Sequence, residues 1–220
     1  MNFGRKTLIF FIGILLSLTV FTKENNQFYA KNLYNEMKLN GLINYQAFSQ
    51  AIDGFNKTKN KEKNILTIVD FSLPSTVKRM FVLDLDKKAI LLQSYVAHGK
   101  NTGDLYAKSF SNKSNSNKSS VGLFLTEGSY NGRNGYSLRL NGLEKGVNDN
   151  AKKRNIVVHG ADYANPKFIE TSGRLGRSLG CFAVPESVNA TIINTIKGKS
   201  ILYVYSNAIK PQNQKVTTQL

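Results

Sequence analysis

From Ile65 onward the chain alternates short apolar runs with polar turns, a rhythm that predicts a mostly β domain. The run "ILTIVDFS" is β-branched and apolar. In "KRMFVLDLD", Phe81, Leu83 and Leu85 alternate with Val82, Asp84 and Asp86. "AILLQSYVA" follows after Lys87-Lys88, so these two runs are expected to form a hairpin. "VGLFLTE", "GYSLRLNG" and "NIVVHG" read as further strands, and "SILYVYS" as a buried one. Between Glu186 and Gly198 the period changes: Val188, Ile192, Ile193 and Ile196 fall on one helical face, with Pro185 at the start and Gly198 at the close. "SNKSNSNKSS", residues 111–120, is a low-complexity polar loop.

Before the strands lie two helix-like segments. Tyr29, Leu33 and Met37 recur every four residues and Asn40-Gly41 supplies a stop. Asn44 then offers a cap to a stripe of Tyr45, Phe48, Ile52 and Phe55. "NKTKNKEKN" closes this helical arm, which is expected to pack rather than react. At the very start, Arg5 and Lys6 precede an apolar run from Leu8 to Phe21. A positive flank followed by a run too short to span a bilayer comfortably reads as an export leader. A buried core helix is the other reading, and the lack of an A-x-A site leaves an uncleaved anchor, hence a membrane tether, open. The expected organisation is 1–22 leader or anchor, 25–60 helical arm, 64–206 main domain and 207–220 polar tail.

Charge narrows the partners. The 220 residues carry 30 Lys and Arg against 14 Asp and Glu, a net charge of +16. That excess suits either a solubilising surface or an anionic partner. Zinc-finger spacing, RNA-binding aromatics and arginine-rich blocks are all missing, so nucleic acid is not the expected partner. No Cys, His and carboxylate set has metal-ligand spacing, and no strand–GxxxxGK–helix order binds phosphate, so neither a metal nor a cofactor is expected.

The candidate chemistry rests on the single cysteine, Cys181, in "GRSLGCFAVP". In an exported chain it cannot form an internal disulfide. It is either a small buried hydrophobe or a nucleophile. His159, at the end of "NIVVHG", sits where a strand delivers a base rigidly to a loop-built site, and Gly160 lets the chain turn. An imidazole in reach of the thiol would take its proton. Gly180 would let backbone N–H groups converge on an oxyanion, and Ser178 would bond within that loop. Arg174 and Arg177 would favour thiolate and draw a carboxylate. His98, in "AHGKNTG", is a structural residue, a cleft residue or a rival base. Tyr136 and Arg139 are read as sharing a strand face that lines the cleft, or else as surface and core. Papain-like enzymes place cysteine before histidine, the reverse of the order here. Sortases need an arginine after the cysteine, and none follows Cys181.

"VVHG" at 157–160 followed by "GRSLGCFAVP" resembles the L,D-transpeptidase signature, most closely that of the murein L,D-transpeptidase catalytic domain family. The resemblance extends to "VAHGKNTG", "GYSLRLNGLEKGVNDNA" and "RNIVVHGADY", and covers about Ile65 to Tyr205. It implies an L,D-transpeptidase-type β-sandwich acting on peptidoglycan stem peptides. Cys181 would attack the carbonyl of the third residue, usually a diamino acid, and the terminal D-amino acid would leave. An amine of a neighbouring stem, or water, would resolve the thioester. His159 would serve as general base and then acid, with N–H groups near Gly180 and Cys181 as the oxyanion hole. The common signature has His where this chain has Leu179, and Arg or Asn where it has Ala183. A catalytically idle peptidoglycan-binding module that kept the fold is the alternative reading.

Overall fold

The computed structural model of the chain describes residues 25–208, so the apolar leader and the tail from 209 lie outside the described residues. Eight strands form one sheet: β1 (Ile65–Asp70), β2 (Met80–Asp84), β3 (Ala89–Ser94), β4 (Gly122–Gly132), β5 (Gly135–Gly142), β6 (Val157–Gly160), β7 (Phe182–Val184) and β8 (Ile201–Tyr205). Their spatial order is β3-β2-β1-β8-β4-β5-β6-β7. The expected hairpin is present, since β2 and β3 pair antiparallel around a turn in which Lys88 takes a left-handed φ of 51°.

The two ends of the sheet meet. The chain leaving β3 returns to β7, where Ala97 bridges Ala183 and its N–H donates to the Ala183 carbonyl at 2.7 Å. Gly99 then bridges Ser178. The sheet therefore folds over on itself into a barrel-like β architecture, and the edge carrying the Ser178–Cys181 segment is paired instead of open.

Helices cover the outer surfaces. Residues 25–36 form α1, and Tyr45–Lys57 form α2. Asn44 caps α2 as its sequence position suggests, its side chain accepting from the Gln46 N–H at 2.8 Å. Phe48, Ile52 and Phe55 are buried, and so are Leu33 and Met37 of the first stripe. Tyr29 is the exception at 50% exposed; Ala30 and Tyr34 occupy the face that the sequence reading gave to it. These helices share one apolar cluster with Leu66, Ile68, Phe81, Leu83, Leu123 and Tyr203 of the sheet.

The other main cluster lies between the sheet and α4 (Glu186–Ile196), whose Ile192, Ile193 and Ile196 meet Leu138, Val158, Phe182 and Val184. Three elements escaped the sequence reading: a short 3-10 turn (Asp162–Ala164), the three-residue strand β7, and α3 (Pro166–Ser172), capped by Asn165 and ended by Gly173 in a left-handed conformation.

Candidate active site

Strand pairing brings the two candidate catalytic segments side by side. β6 and β7 run parallel with Val158 opposite Phe182 and His159 opposite Ala183. Partners across a ladder share a face, and residues two apart along a strand do as well. Val157, His159 and Ala183 therefore share one face, and Val158, Phe182 and Val184 turn the other way into the α4 core. Cys181 immediately precedes β7, and its thiol meets the carbonyl of Asn155, two residues before β6.

His159 is oriented by its own neighbourhood. Its Nδ1 lies 2.8 Å from the Gly160 carbonyl oxygen, and a carbonyl only accepts, so Nδ1 carries the proton and Nε2 the free lone pair. The orienting group, which no residue pattern identifies, is thus a backbone carbonyl. His159 is 5% exposed, and that burial holds its pKa below the usual imidazole value.

Cys181 is half-buried and unpaired with any other cysteine. Its Sγ donates to the Asn155 carbonyl at 3.4 Å, and no hydrogen bond joins it to His159 in this resting arrangement. Burial pushes the thiol pKa up, and the Val157 N–H and the Arg154 guanidinium pull it back down. At rest the pair is thiol and neutral imidazole.

Arg154 was not singled out from the sequence, where nothing separates it from the other cations. It is pinned by four acceptors: the Ser111 carbonyl and Ser120 Oγ at 2.6 Å each, the Lys118 carbonyl at 2.6 Å and Ser116 Oγ at 3.3 Å. The serine-rich loop is therefore the cradle of a cation beside the thiol. Ala183, which stands where the common signature has a longer residue, is fully buried and packed with Ala97, Ala161 and Leu175.

The Gly180 segment is fixed by contact. Its φ is +127°, and a Cβ there would lie 2.9 Å from the Lys118 carbonyl oxygen. Gly99 packs against it so tightly that a Cβ on Gly99 would stand 3.0 Å from the Gly180 Cα. Ser178 does bond within the loop: its Oγ donates to the Cys181 carbonyl at 2.7 Å and accepts the Gly180 N–H at 3.0 Å. The Gly180 N–H is thus taken up by Ser178. A Cβ on Gly160 would press against the Asn189 side chain at 3.2 Å.

Arg174 and Arg177, expected to draw a substrate carboxylate, already hold one from the chain. Asp104 Oδ1 lies 2.7 Å from Arg177 Nη1 and 3.5 Å from Arg174 Nε. Arg177 also reaches the Lys100 and Gly103 carbonyls at 3.3 Å each. Together they tie the segment before Cys181 to the 100–104 turn.

His98 is 1% exposed and so does not line a cleft. Its Nδ1 accepts from the fully buried Arg79 at 2.8 Å, which leaves Nε2–H to donate to the Gly103 carbonyl at 3.2 Å. Burial and the Arg79 charge hold its pKa down to about 4. Arg79 donates further to the Val96 and Leu73 carbonyls and stacks over Phe71 at 4.7 Å. Through its own carbonyl His98 accepts the Ser178 N–H at 2.9 Å. It is thus a strut beneath the segment that carries Cys181.

Tyr136 and Arg139 do not share a face. Arg139 pairs with Val157 and lies on the His159 side; the Tyr136 hydroxyl bonds Asn194 of α4 at 2.8 Å on the other. Among the described residues no group of three or more His, Cys, Asp and Glu could hold a metal ion. No helix among them is long and apolar enough to cross a membrane.

Comparison with known proteins points one way. The L,D-transpeptidase catalytic domain family matches residues 39–205. An L,D-transpeptidase from Mycobacterium smegmatis is 12% identical over 65% of this chain and 59% of its own, with a TM-score of 0.41. The helical cell shape determining protein of Campylobacter jejuni is 12% identical over 66% of this chain and 48% of its own, at 0.44. An L,D-transpeptidase from Stackebrandtia nassauensis is 12% identical over 81% of this chain and 76% of its own, at 0.39. The chain spans less than two thirds of the mycobacterial structure's length. No curated protein sequence matches it.

Proposed function

The chain belongs to the L,D-transpeptidase catalytic domain family, and on that footing we propose that it is an exported cysteine L,D-transpeptidase of peptidoglycan, turning over stem tetrapeptides through a thioester on Cys181. The observation that supports this reading is the parallel pairing of β6, which carries His159 with Nε2 free, with β7, which Cys181 immediately precedes.

His159 Nε2 takes the thiol proton, and the Arg154 charge and the Val157 N–H steady the thiolate. Sulfur attacks the carbonyl of the third stem residue, and the oxyanion is met by the backbone N–H of Cys181, since that of Gly180 is engaged. The C–N bond to the terminal D-amino acid breaks, and the imidazolium returns its proton to the departing amine. An acceptor amine then attacks the thioester, loses a proton to His159, and releases the thiolate with a new amide. If water is the acceptor, the same steps make the protein an L,D-carboxypeptidase. Export rests on Arg5, Lys6 and the apolar run that follows, and an uncleaved leader would tether the domain to the membrane. The net charge of +16 suits an anionic cell wall.

The test is D-alanine release from a stem tetrapeptide, followed by mass spectrometry with and without an added acceptor amine. Release that survives Cys181→Ala at the wild-type rate would remove the mechanism. Leu179 stands 67% exposed where the common signature has a histidine, and this favours one competing reading, a binding module without turnover. Covalent acylation of Cys181 by a carbapenem excludes that reading.

A further inference from the structure

The arc of chain that carries Cys181 is held at both ends by one strip, residues 97–100. After Cys181, the Ala97 N–H donates to the Ala183 carbonyl at 2.7 Å. Before it, the Ser178 N–H donates to the His98 carbonyl at 2.9 Å, and the Lys100 N–H donates to the Ser178 carbonyl at 2.8 Å. Ser178 Oγ closes the arc on itself through the Cys181 carbonyl and the Gly180 N–H. The place of the arc therefore follows from the place of the strip.

One side chain fixes the strip. Arg79, immediately before β2, is 0% exposed. Its Nε and Nη2 donate to the Val96 carbonyl at 3.1 and 2.8 Å, Nη2 also meets His98 Nδ1 at 2.8 Å, and Nη1 donates to the Leu73 carbonyl at 2.9 Å. The Phe71 ring covers the guanidinium at 4.7 Å and stands edge-on to His98 at 5.9 Å. The Arg79 backbone is anchored too, its N–H donating to the Ser94 carbonyl at 3.1 Å and its carbonyl accepting the Asp70 N–H at 2.8 Å. By occupying His98 Nδ1, Arg79 turns Nε2–H toward the Gly103 carbonyl at 3.2 Å, and that carbonyl also receives Arg177 at 3.3 Å. A single guanidinium thus grips the chain at Val96, at His98 and, through His98, at the turn that Arg177 holds.

We propose that Arg79 is a positioning residue for Cys181: acting through Val96 and His98, it sets where the strip, and hence the Ser178–Ala183 arc, stands relative to the strand of His159. The expected effect on turnover rests on the reading of Cys181 as the acylated nucleophile; the expected effect on the thiol does not. Burying a charge is costly, and apolar residues of similar size often stabilise a core as well or better. None of the hydrogen-bond partners of Arg79 is a carboxylate, and Asp70 supplies its counter-charge without a hydrogen bond between the two side chains. What the guanidinium offers instead is direction, because its planar fork holds several acceptors at fixed angles. A small displacement of a reacting group costs rate out of proportion to stability.

Iodoacetamide labelling of the full chain across a pH series tests this, with D-alanine release from a stem tetrapeptide measured alongside. Arg79→Met keeps the length of the side chain and removes its donors. The labelling midpoint should move to higher pH, because a displaced sulfur loses the Val157 N–H and the Arg154 charge that hold the thiol pKa down. The kcat should fall about tenfold while KM changes less than about twofold. Arg79→Lys should recover part of both. Phe48→Leu opens a cavity in the helix-side cluster, which shares no residue with the cluster of Ala97 and Ala183, and should move neither. Thermal unfolding matches the variants for stability. If Arg79→Met does not fold, His98→Leu breaks the same link one step further on and should shift the midpoint upward, and His98→Gln, which keeps an acceptor for Arg79, should shift it less. A wild-type midpoint in folded Arg79→Met or His98→Leu overturns the proposal, as does an equal shift in Phe48→Leu. The midpoint is read without substrate, so the two readings fail separately. A shift with no D-alanine release by the wild-type chain removes the transpeptidase reading alone, and release without a shift removes the role of Arg79 alone.

Discussion

The Cys181 thiol donates to the carbonyl of Asn155 at 3.4 Å, and Asn155 holds that carbonyl in place with a left-handed φ of 54°. Asparagine tolerates this conformation better than most residues. The Cys181 thiol thereby rests on a backbone acceptor and not on the imidazole of His159. Asn155→Ala should be destabilised by about 1 kcal/mol through backbone strain and should shift the thiol's reactivity. Urea unfolding and the rate of iodoacetamide labelling would be measured together; no change in either would show that the turn does not hold the thiol.

Arg154 is expected to set the reactivity of the thiol. Its charge pulls the Cys181 pKa down against the upward push of burial. Arg154→Gln removes that charge, so the thiolate fraction at neutral pH should fall and labelling should slow by about tenfold. Arg154→Lys should keep most of the effect on the thiol but loosen the serine loop, which the planar fork holds through four acceptors. Equal labelling of Arg154→Gln and wild type would assign the arginine to loop structure alone.

The acidic limb of activity should lie at low pH. Burial depresses the His159 pKa, so the imidazole stays neutral and able to accept the thiol proton below the usual histidine value of about 6.5. The kcat/KM for D-alanine release should therefore hold steady as pH falls to 6.5 and decline only below it. A limb centred above 6.5 would contradict the assignment of His159 as the base.

His98 makes a separate prediction about stability. Its folded pKa is about 4 against about 6.5 when unfolded. Above pH 6.5 both states are neutral and its packing contributes fully. As pH falls from 6.5 toward 4, the unfolded chain takes a proton that the folded protein refuses. Stability should drop by on the order of 2–3 kcal/mol over that window. Urea midpoints at pH 7 and pH 5 would show the loss, and His98→Gln should show less of it. Turnover at pH 7 should survive His98→Gln much better than His159→Ala; equal loss from both would undo the choice of base.

The sequence reading succeeded where local pattern decides structure. The alternation in "KRMFVLDLD" and the isoleucine stripe after Pro185 each became the expected element, and Asn44 capped its helix. His159 and Cys181 could be singled out as candidates as well, because a histidine at a strand end and a cysteine among glycines leave a mark in one dimension. Register did not leave such a mark. β7 is three residues long, too short for a periodic signal, yet it joins the segment of Cys181 to the strand of His159. Long-range acceptors were equally hidden. Nothing in "GRSLGCFAVP" says that Arg177 is bound to Asp104 or that Ser178 has taken the Gly180 N–H. Arg154 is an ordinary basic residue in the sequence, and only the structure shows it held by two carbonyls and two serine hydroxyls.

The central claim is that Cys181 becomes acylated by a stem peptide. The most direct measurement is rapid quenching of the full chain with a stem tetrapeptide, followed by peptide mapping in a mass spectrometer. The expected result is a tripeptidyl thioester on the peptide carrying Cys181, with D-alanine released in step and neither product seen in Cys181→Ala. D-alanine release with no adduct on Cys181, or release undiminished in Cys181→Ala, would contradict it.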